Sequence, residues 1–471
     1  MQRSNALRMR PLLFAAALVS GAAGAQPGPF PSDAFPSEAE SAAAFTPDGG
    51  LNATLLGRYD ERAGYADVWG YVAPDGREYA LGALQSEGLV VLDVSGDTPV
   101  EVGFVPSATG GSDSKEVETY GRYAYVVNEY GPIQIVDLAD PSNPVEVGRL
   151  DTQPGSSAGS AHTHHVVGDR LYVSGGSPFS GLRIYSLADP LAPALLGSYQ
   201  PFYIHDVGVR GTTVFAAGIF GDGVDVLDAS DPAAISRVSL FNYPGSGAHN
   251  VCLTDDGAYA FVGDEIGSSG RWTRIFDVRD PQNVELVGEI VVNASAVVHN
   301  CYVRGSLLFI AHYSEGMRVF DVSTPTAPVE VAYYDTYAGT SSLTRGAWAV
   351  YPWLPSGKVL ISDRSNGIFV VRLDDAVASE PGGEAAGRLA VGPNPVRSRS
   401  RVSFSLGAPA DVRLSVADLL GREVAVLDEG ARGAGPQRAW LDGRGLPAGT
   451  YVVRLSVDGR PAGAVPTTVV R

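Results

Sequence analysis

Seven segments of one kind recur along this chain: "LVVLDVS", "IQIVDLA", "LRIYSLA", "VDVLDAS", "TRIFDVR", "MRVFDVS" and "IFVVRLD". Their fifth residues are Asp93, Asp137, Ser186, Asp228, Asp277, Asp321 and Arg372, so the spacings are 44, 49, 42, 49, 44 and 51 residues. A period of this size, with several alternating apolar runs inside each unit, is that of four-stranded β-propeller blades. No such unit buries its apolar faces alone, so neighbours must pack around a common axis.

Each unit reads as four strands. A polar-headed run such as "IHDVGVR" turns through "RGT", "PDG" or "TDDG" into a second run such as "TVFAAG". The repeat strand follows, then a Pro-punctuated turn ("ADPSNP", "STPTAP") and a last strand of the "VEVGRL" type. The Asp, Gly and Pro at these joints are turn residues, so Asp255-Asp256-Gly257 is a hairpin rather than a calcium loop. "TLLGRYD" (54–60) matches the fourth strands but precedes the first repeat, while the seventh repeat stops after its third strand. The reading is an all-β fold: a seven-bladed propeller over 51–373, closed by its N-terminal strand, which removes open sheet edges. The 57 Gly and 32 Pro suit many short strands joined by turns.

The Val-Asp-centred strand followed by Asp-Pro and Pro-Val resembles the LVIVD repeat, and residues 51–373 are similar to the exported choice-of-anchor B proteins. The resemblance implies architecture and export, and carries no reaction or catalytic residue with it.

The flanking segments read as addresses. Arg3, Arg8 and Arg10 before the apolar run 11–19, with Ala23-Gly24-Ala25 before Gln26, have the layout of a signal peptide over 1–25. The run is too short to span a bilayer, so no transmembrane segment is expected in the mature chain. Residues 26–50 form an N-terminal extension. Removal of three arginines would take the net charge from -18 to -21, which disfavours nucleic acid as a partner. A small, polar linker (374–388) separates the repeats from residues 389–471, where short alternating strands indicate a small Ig-like β-sandwich. Over 397–471 eleven Arg face seven acids. This tail resembles the type A C-terminal sorting domain of the type IX secretion system, through Asn394-Pro395, "VADLLGREV" (Asp418, Gly421, Arg422) and "LPAGTYVVRL" (Gly449, Tyr451). The resemblance implies the type IX machinery as a partner and a secreted or cell-surface protein; an ordinary Ig-like module is the plainer alternative.

Polar residues gather where the blades begin. The first strands align as Ala66-Asp67-Val68, Lys115-Glu116-Val117, His164-His165-Val166, His205-Asp206-Val207, His249-Asn250-Val251, His299-Asn300-Cys301 and Gly346-Ala347-Trp348. Six of the seven histidines fall in or just before this position, around the mouth of the central channel. Antiparallel pairing brings the ends of the second strands to the same face: Gln85, Asn128, Glu129, Asp264, Glu265, His312, Asp363 and Arg364. The opposite face, made of hairpin turns, shows no comparable set.

Two readings of this ring stand side by side. His162, His164, His205, His249 and His299 could supply ligands to a divalent transition metal, with Asp206 or Glu116 orienting a ligand or serving as general base. That would suit a metal-dependent hydrolase or oxidoreductase. Alternatively the ring, with Asp67, Glu116, Asp206, Asn250, Asn300, Glu129, Asp264, His312 and Arg364, bonds blade to blade or lines the face of a binding protein for an unknown extracellular ligand. No GxSxG, HExxH or phosphate-binding glycine loop is present. On a strand His162 and His164 point one way and His165 the other, so His165 packs between blades. Cys252 and Cys301 lie in adjacent blades with opposite parity but are offset by one residue, which favours two buried thiols over a disulfide.

Overall fold

The computed structural model describes residues 49–470 other than 109–112, 153–159, 177–178, 340–343, 375–376, 378–386, 393–394, 407–409, 419–421, 434 and 458–459. The signal peptide, nearly all of the 26–50 extension, most of the linker, Asn394 and Gly421 lie outside the described residues.

Residues 50–373 form seven antiparallel sheets among the described residues. The first is typical: Tyr65–Val72, Glu78–Leu84, Gly88–Asp93 and Val100–Pro106 lie side by side in chain order. The other first strands are Ser114–Tyr120, Thr163–Val167, Asp206–Arg210, Ala248–Leu253, Cys301–Arg304 and Ala347–Tyr351. Each of these touches the next, and the last returns to Tyr65–Val72, so the first strands close a cycle around an axis. The architecture is a β-propeller. In the last sheet only three strands come from its own repeat; the fourth is Ala53–Tyr59, paired from Ala53↔Leu373 to Tyr59↔Ile368. Gly50–Leu51 adds a fifth strand beside Val329–Tyr334.

The repeated Asp shapes the turn out of the third strand. Asp93, Asp137, Asp228, Asp277 and Asp321 each accept the amide of the residue two further on, at 2.8–3.1 Å, and Ser186 does the same at 3.2 Å. A short acceptor side chain thereby makes a turn where the ladder stops. The apolar residues before it are buried between sheets, as where Leu89 and Val91 pack with Val126 and Val136 of the next blade. Fourth-strand glycines let the next blade's Pro turn approach: a Cβ on Gly197 would lie 1.6 Å from the Pro232 carbonyl oxygen, and one on Gly57 2.7 Å from Pro99.

Beyond the linker, one sheet of Gly387–Gly392, Arg399–Leu406 and Gly435–Asp442 and another of Glu423–Arg432, Ala410–Asp418, Gly449–Val457 and Arg460–Val469 share an apolar core that includes Val402, Phe404, Leu414 and Leu455. No helix among the described residues is long and apolar enough to cross a membrane.

The cysteines correct the sequence expectation. Cys252 and Cys301 form a disulfide, with Cα atoms 6.0 Å apart. Opposite parity puts both sulfurs in the seam between two first strands. The one-residue offset places Cys301 at a depth between Asn250 and Cys252, within the span that a disulfide tolerates.

Candidate functional site

Four imidazoles stack in sequence around the channel. Ring centroids are 4.3 Å apart for His162 and His205, 4.1 Å for His205 and His249, and 4.2 Å for His249 and His299, and the indole of Trp348 follows at 4.3 Å. Each comes from a different blade. The residue equivalent to His205 in the third blade is therefore His162, not His164. The hairpin glycine holds this register: His162, His205 and His299 each stand six residues before Gly168, Gly211 and Gly305. Lys115 stands likewise before Gly121. Counting back six from the turn finds the ring in these blades, whereas counting from the paired histidines shifts the third blade by two; in the fifth blade the longer "TDDG" turn puts Gly257 eight residues after His249.

Backbone and carboxylate acceptors orient three of the rings. His205 Nδ1 lies 3.2 Å from the His249 carbonyl oxygen, His299 Nδ1 2.7 Å from that of Trp348, and His162 Nδ1 3.0 Å from Glu129 Oε1. Those oxygens only accept, so Nδ1 carries a proton in each; in His205 and His299, which burial keeps neutral, Nε2 then keeps its lone pair, the form in which imidazole binds metals. His249 Nε2 is 3.5 Å from Glu265 Oε2, and His299 Nε2 is 4.0 Å from Glu265 Oε1. One ligand atom from each of His205, His249 and Glu265 lies within 4.8 Å of the other two. Donors around a tetrahedral zinc at ~2.0–2.1 Å are roughly 3.3 Å apart. Binding would therefore draw this set together by about 1 Å, within the reach of side-chain rotation.

Electrostatics favour the neutral rings. Burial, then the neighbouring imidazoles, holds His205 and His249 well below the ordinary histidine value; burial does the same for His299, against the pull of its bond to Trp348. Burial pushes Glu265 up, opposed by the hydroxyl of Tyr313, which donates to Oε1 at 2.7 Å. Glu129 is also raised by burial, but His162 and Lys115 outweigh this and hold it at about 2. Lys115 Nζ bridges Asp113 at 2.8 Å and Glu129 at 3.5 Å. Tyr313 is buried between His299 and Trp348 with φ of 32°, a left-handed conformation rarely adopted by an aromatic residue. Nothing in the repeat pattern singles it out, because it sits in a hairpin with its own length, "HYSEG".

The other expected residues divide among several roles. Asp67 Oδ2 accepts the amide of Val117 at 3.0 Å, Glu116 Oε2 that of His164 at 3.0 Å, and Asn250 Oδ1 that of Cys301 at 3.1 Å. They cap the exposed edge of the next blade's first strand, where amides would otherwise be buried without partners. Asp206 accepts from Val207 N and Asn250 Nδ2. His165 Nδ1 bonds Glu118 Oε1 of the preceding blade at 2.9 Å. Asp264 pairs with Arg274 at 2.5 Å and, chiefly through burial, is raised to about 6. Arg364 lies over Trp348 at 4.9 Å, and His312 is buried, held at about 4 by desolvation. In the tail, Tyr451 is buried and donates to the Pro447 carbonyl at 2.9 Å, Gly449 begins its strand, and Asp418 ends another.

The far side of the channel is not bare, contrary to the sequence reading. Beyond the imidazole level, a cavity of about 190 Å³ is lined by Glu116, Glu118, His164, Asp206, Asn300 and Tyr302, among others, and reaches Trp353. His164 thus belongs to this chamber, with Nδ1 3.8 Å from Glu116 Oε2, and burial lowers it to about 4. Burial, reinforced by mutual repulsion, raises Glu116 strongly and Asp67 to about 7.

The LVIVD repeat model matches residues 111–152 and 298–336. No curated protein is a sequence match. Among solved structures, a protein from Lactobacillus plantarum aligns over 80% of this chain and 98% of its own, with 13% identity and a TM-score of 0.48. The Cps50 (Swd1) β-propeller domain of Myceliophteria thermophila aligns over 68% and 99%, with 11% identity and a TM-score of 0.49. The chain is a β-propeller built with LVIVD repeats.

Proposed function

We propose that this chain is an exported binding protein of the choice-of-anchor B kind, a seven-bladed propeller that holds a divalent transition metal in the mouth of its channel. The observation that carries the metal is the convergence of His205, His249 and Glu265 donors within 4.8 Å of one another. His162 and His299 flank the set and complete the imidazole stack. Two nitrogen donors and one carboxylate suit zinc, nickel, copper or iron better than calcium or magnesium. Three protein ligands leave a coordination position for a further group, so the bound metal is a docking point for a donor-bearing extracellular molecule.

Export rests on the N-terminal layout around Arg3, Arg8 and Arg10 and on the tail motifs at Asn394-Pro395, Asp418, Gly421, Arg422, Gly449 and Tyr451. The tail acts as an Ig-like sorting domain read by the type IX machinery. Mature protein beginning at Gln26 and lacking the tail is the expected product in the medium or at the surface, and intact mass analysis of secreted material checks it.

The metal is tested by elemental analysis of protein purified without added metal, before and after chelation and zinc titration. One equivalent per chain is expected, reduced below a tenth in His205→Ala and His249→Ala. Absence of saturable uptake of zinc, nickel, copper or iron by folded protein would sink the reading.

A further inference from the structure

The chamber beyond the imidazole ring has a chemistry unlike that of the ring. Glu116, Glu118 and Asp206 line it, with Asn250 and Asn300 beside them, and no Lys or Arg is among its lining residues. Each carboxylate has part of its acceptor capacity engaged: Glu116 by His164 N, Glu118 by His165 and Val166 N, and Asp206 by Val207 N and Asn250. Those bonds fix the carboxylates in place and leave acceptor lone pairs over, and a cation bound beside them favours the ionised form that burial alone disfavours. Asn300, only 2% exposed, also lines the chamber, and its Oδ1 has no hydrogen-bond partner. A buried amide oxygen left unpaired costs about 1–3 kcal/mol, which a donor from outside would relieve.

The outer part of the chamber is aromatic. Tyr302 and Trp353 line it, with ring centroids 5.1 Å apart, and Trp69 and Tyr351, 4.8 Å from each other, pack against them at 5.3–6.2 Å. Trp353 is 37% exposed, so the cluster meets solvent there. The Val207, Val251 and Val303 side chains supply an apolar wall between the two ends.

We propose that this chamber is a binding site for a small organic cation carrying an ammonium or guanidinium group. The head donates to Glu116, Asp206 and Asn300 Oδ1, and the rest of the molecule lies along the valines toward Tyr302 and Trp353. The basic residues of the lining are His164, which burial lowers to about 4, and His165, whose Nδ1 is taken by Glu118. The acceptors left over, on Glu116, Asp206 and Asn300, select a donor-only head, and aromatic faces favour a cation over a neutral isostere. A volume of about 190 Å³ is several times the roughly 30 Å³ share of a single water, so it suits a molecule of several heavy atoms better than a bare ion. The site shares no residue with the His205, His249 and Glu265 set and does not depend on a metal there.

Calorimetric titration of the mature, metal-free protein with agmatine, n-butylamine and methylguanidinium, with n-butanol and calcium as controls, tests the proposal. Saturable binding of at least one of the three cations is expected, with n-butanol at least tenfold weaker. Glu116→Gln should weaken the cation tenfold or more. Trp353→Ala, a change at the exposed rim, should weaken it at least threefold while leaving the melting temperature near that of the parent. No saturable binding of any of the three, equal binding of n-butanol, affinity unchanged in folded Glu116→Gln, or binding of calcium alone would each overturn it.

Discussion

His205 Nδ1 points at the carbonyl oxygen of His249, 3.2 Å away in the next blade, while the two rings stack at 4.1 Å. His249 thus orients His205 by its backbone and desolvates it by its ring. The result is a set of neutral imidazoles whose Nε2 atoms are held ready, at the expense of basicity.

That arrangement fixes a pH dependence. His205, His249 and His299 are held below the ordinary value by burial above all, so the unfolded chain takes up protons near pH 6.5 that the folded chain refuses. Below pH 6.5 the unfolded state binds more protons, and stability falls by about 1.4 kcal/mol per pH unit for each such histidine. Asp67, raised to about 7, contributes the opposite slope over the same range, so the difference between variants isolates the histidines. Urea melts at pH 8, 7, 6 and 5 should show His205→Gln/His249→Gln losing less stability than the parent below pH 6.5. Parallel curves would contradict the assignment.

Tyr313 is expected to act through Glu265. Removing its hydroxyl in Tyr313→Phe deletes the 2.7 Å bond to Oε1 and leaves the ring packed against His299 and Trp348. Metal affinity should drop about 10- to 100-fold, the usual effect of losing an outer partner of a ligand. Competition against a chromophoric chelator measures it, with the circular dichroism spectrum unchanged.

The bond between Cys252 and Cys301 closes a stretch of 49 residues across a seam between blades. Reduction, or Cys252→Ser with Cys301→Ser, should lower stability by roughly 2–4 kcal/mol. Thiol counting under denaturing conditions without reductant should find none free.

Lys358 latches the last repeat's sheet to the first. Its Nζ donates to the carbonyls of Val94, Ser95 and Gly96 at 2.6, 3.1 and 2.6 Å, and Ser356 N nearby donates to Glu78 Oε1 at 2.7 Å. Lys358→Met keeps the length of the side chain but leaves three carbonyls without their donor, which should cost on the order of 3 kcal/mol in a urea melt. A change under 0.5 kcal/mol would show that water replaces the ammonium there.

The periodic part of this fold is legible because strands, turns and burial repeat together. Asp93 and its equivalents mark the turn, and the apolar residues before them mark the seam. The site is less legible where the period breaks. His164 mimics His205 in sequence, yet the hairpin glycine sets the register and places His162 in the ring. Trp69, Tyr302, Tyr351 and Trp353 come from three blades with no shared spacing, so their meeting is a tertiary fact. Tyr313 depends on a backbone conformation that its residue type disfavours. For the cysteines, parity and depth gave opposite indications, and a separation of 6.0 Å between Cα atoms accommodates the offset.

The strand Ala53–Tyr59 finds its partner only at Ile368–Leu373, more than 300 residues later. That pairing imposes an order in time on any chain made or threaded across a membrane N-terminus first. Six sheets can be complete while residues 53–59 wait without a neighbour, and the cycle of first strands stays broken until Ala347–Tyr351 arrives. Closing so long a loop adds little to the free energy, since the penalty grows only with the logarithm of length, but it is slow. Three of the four stacked imidazoles belong to blades that form late, so a nascent or stalled chain has no assembled mouth. The ring of first strands closes in a single final step, after the last repeat has been delivered.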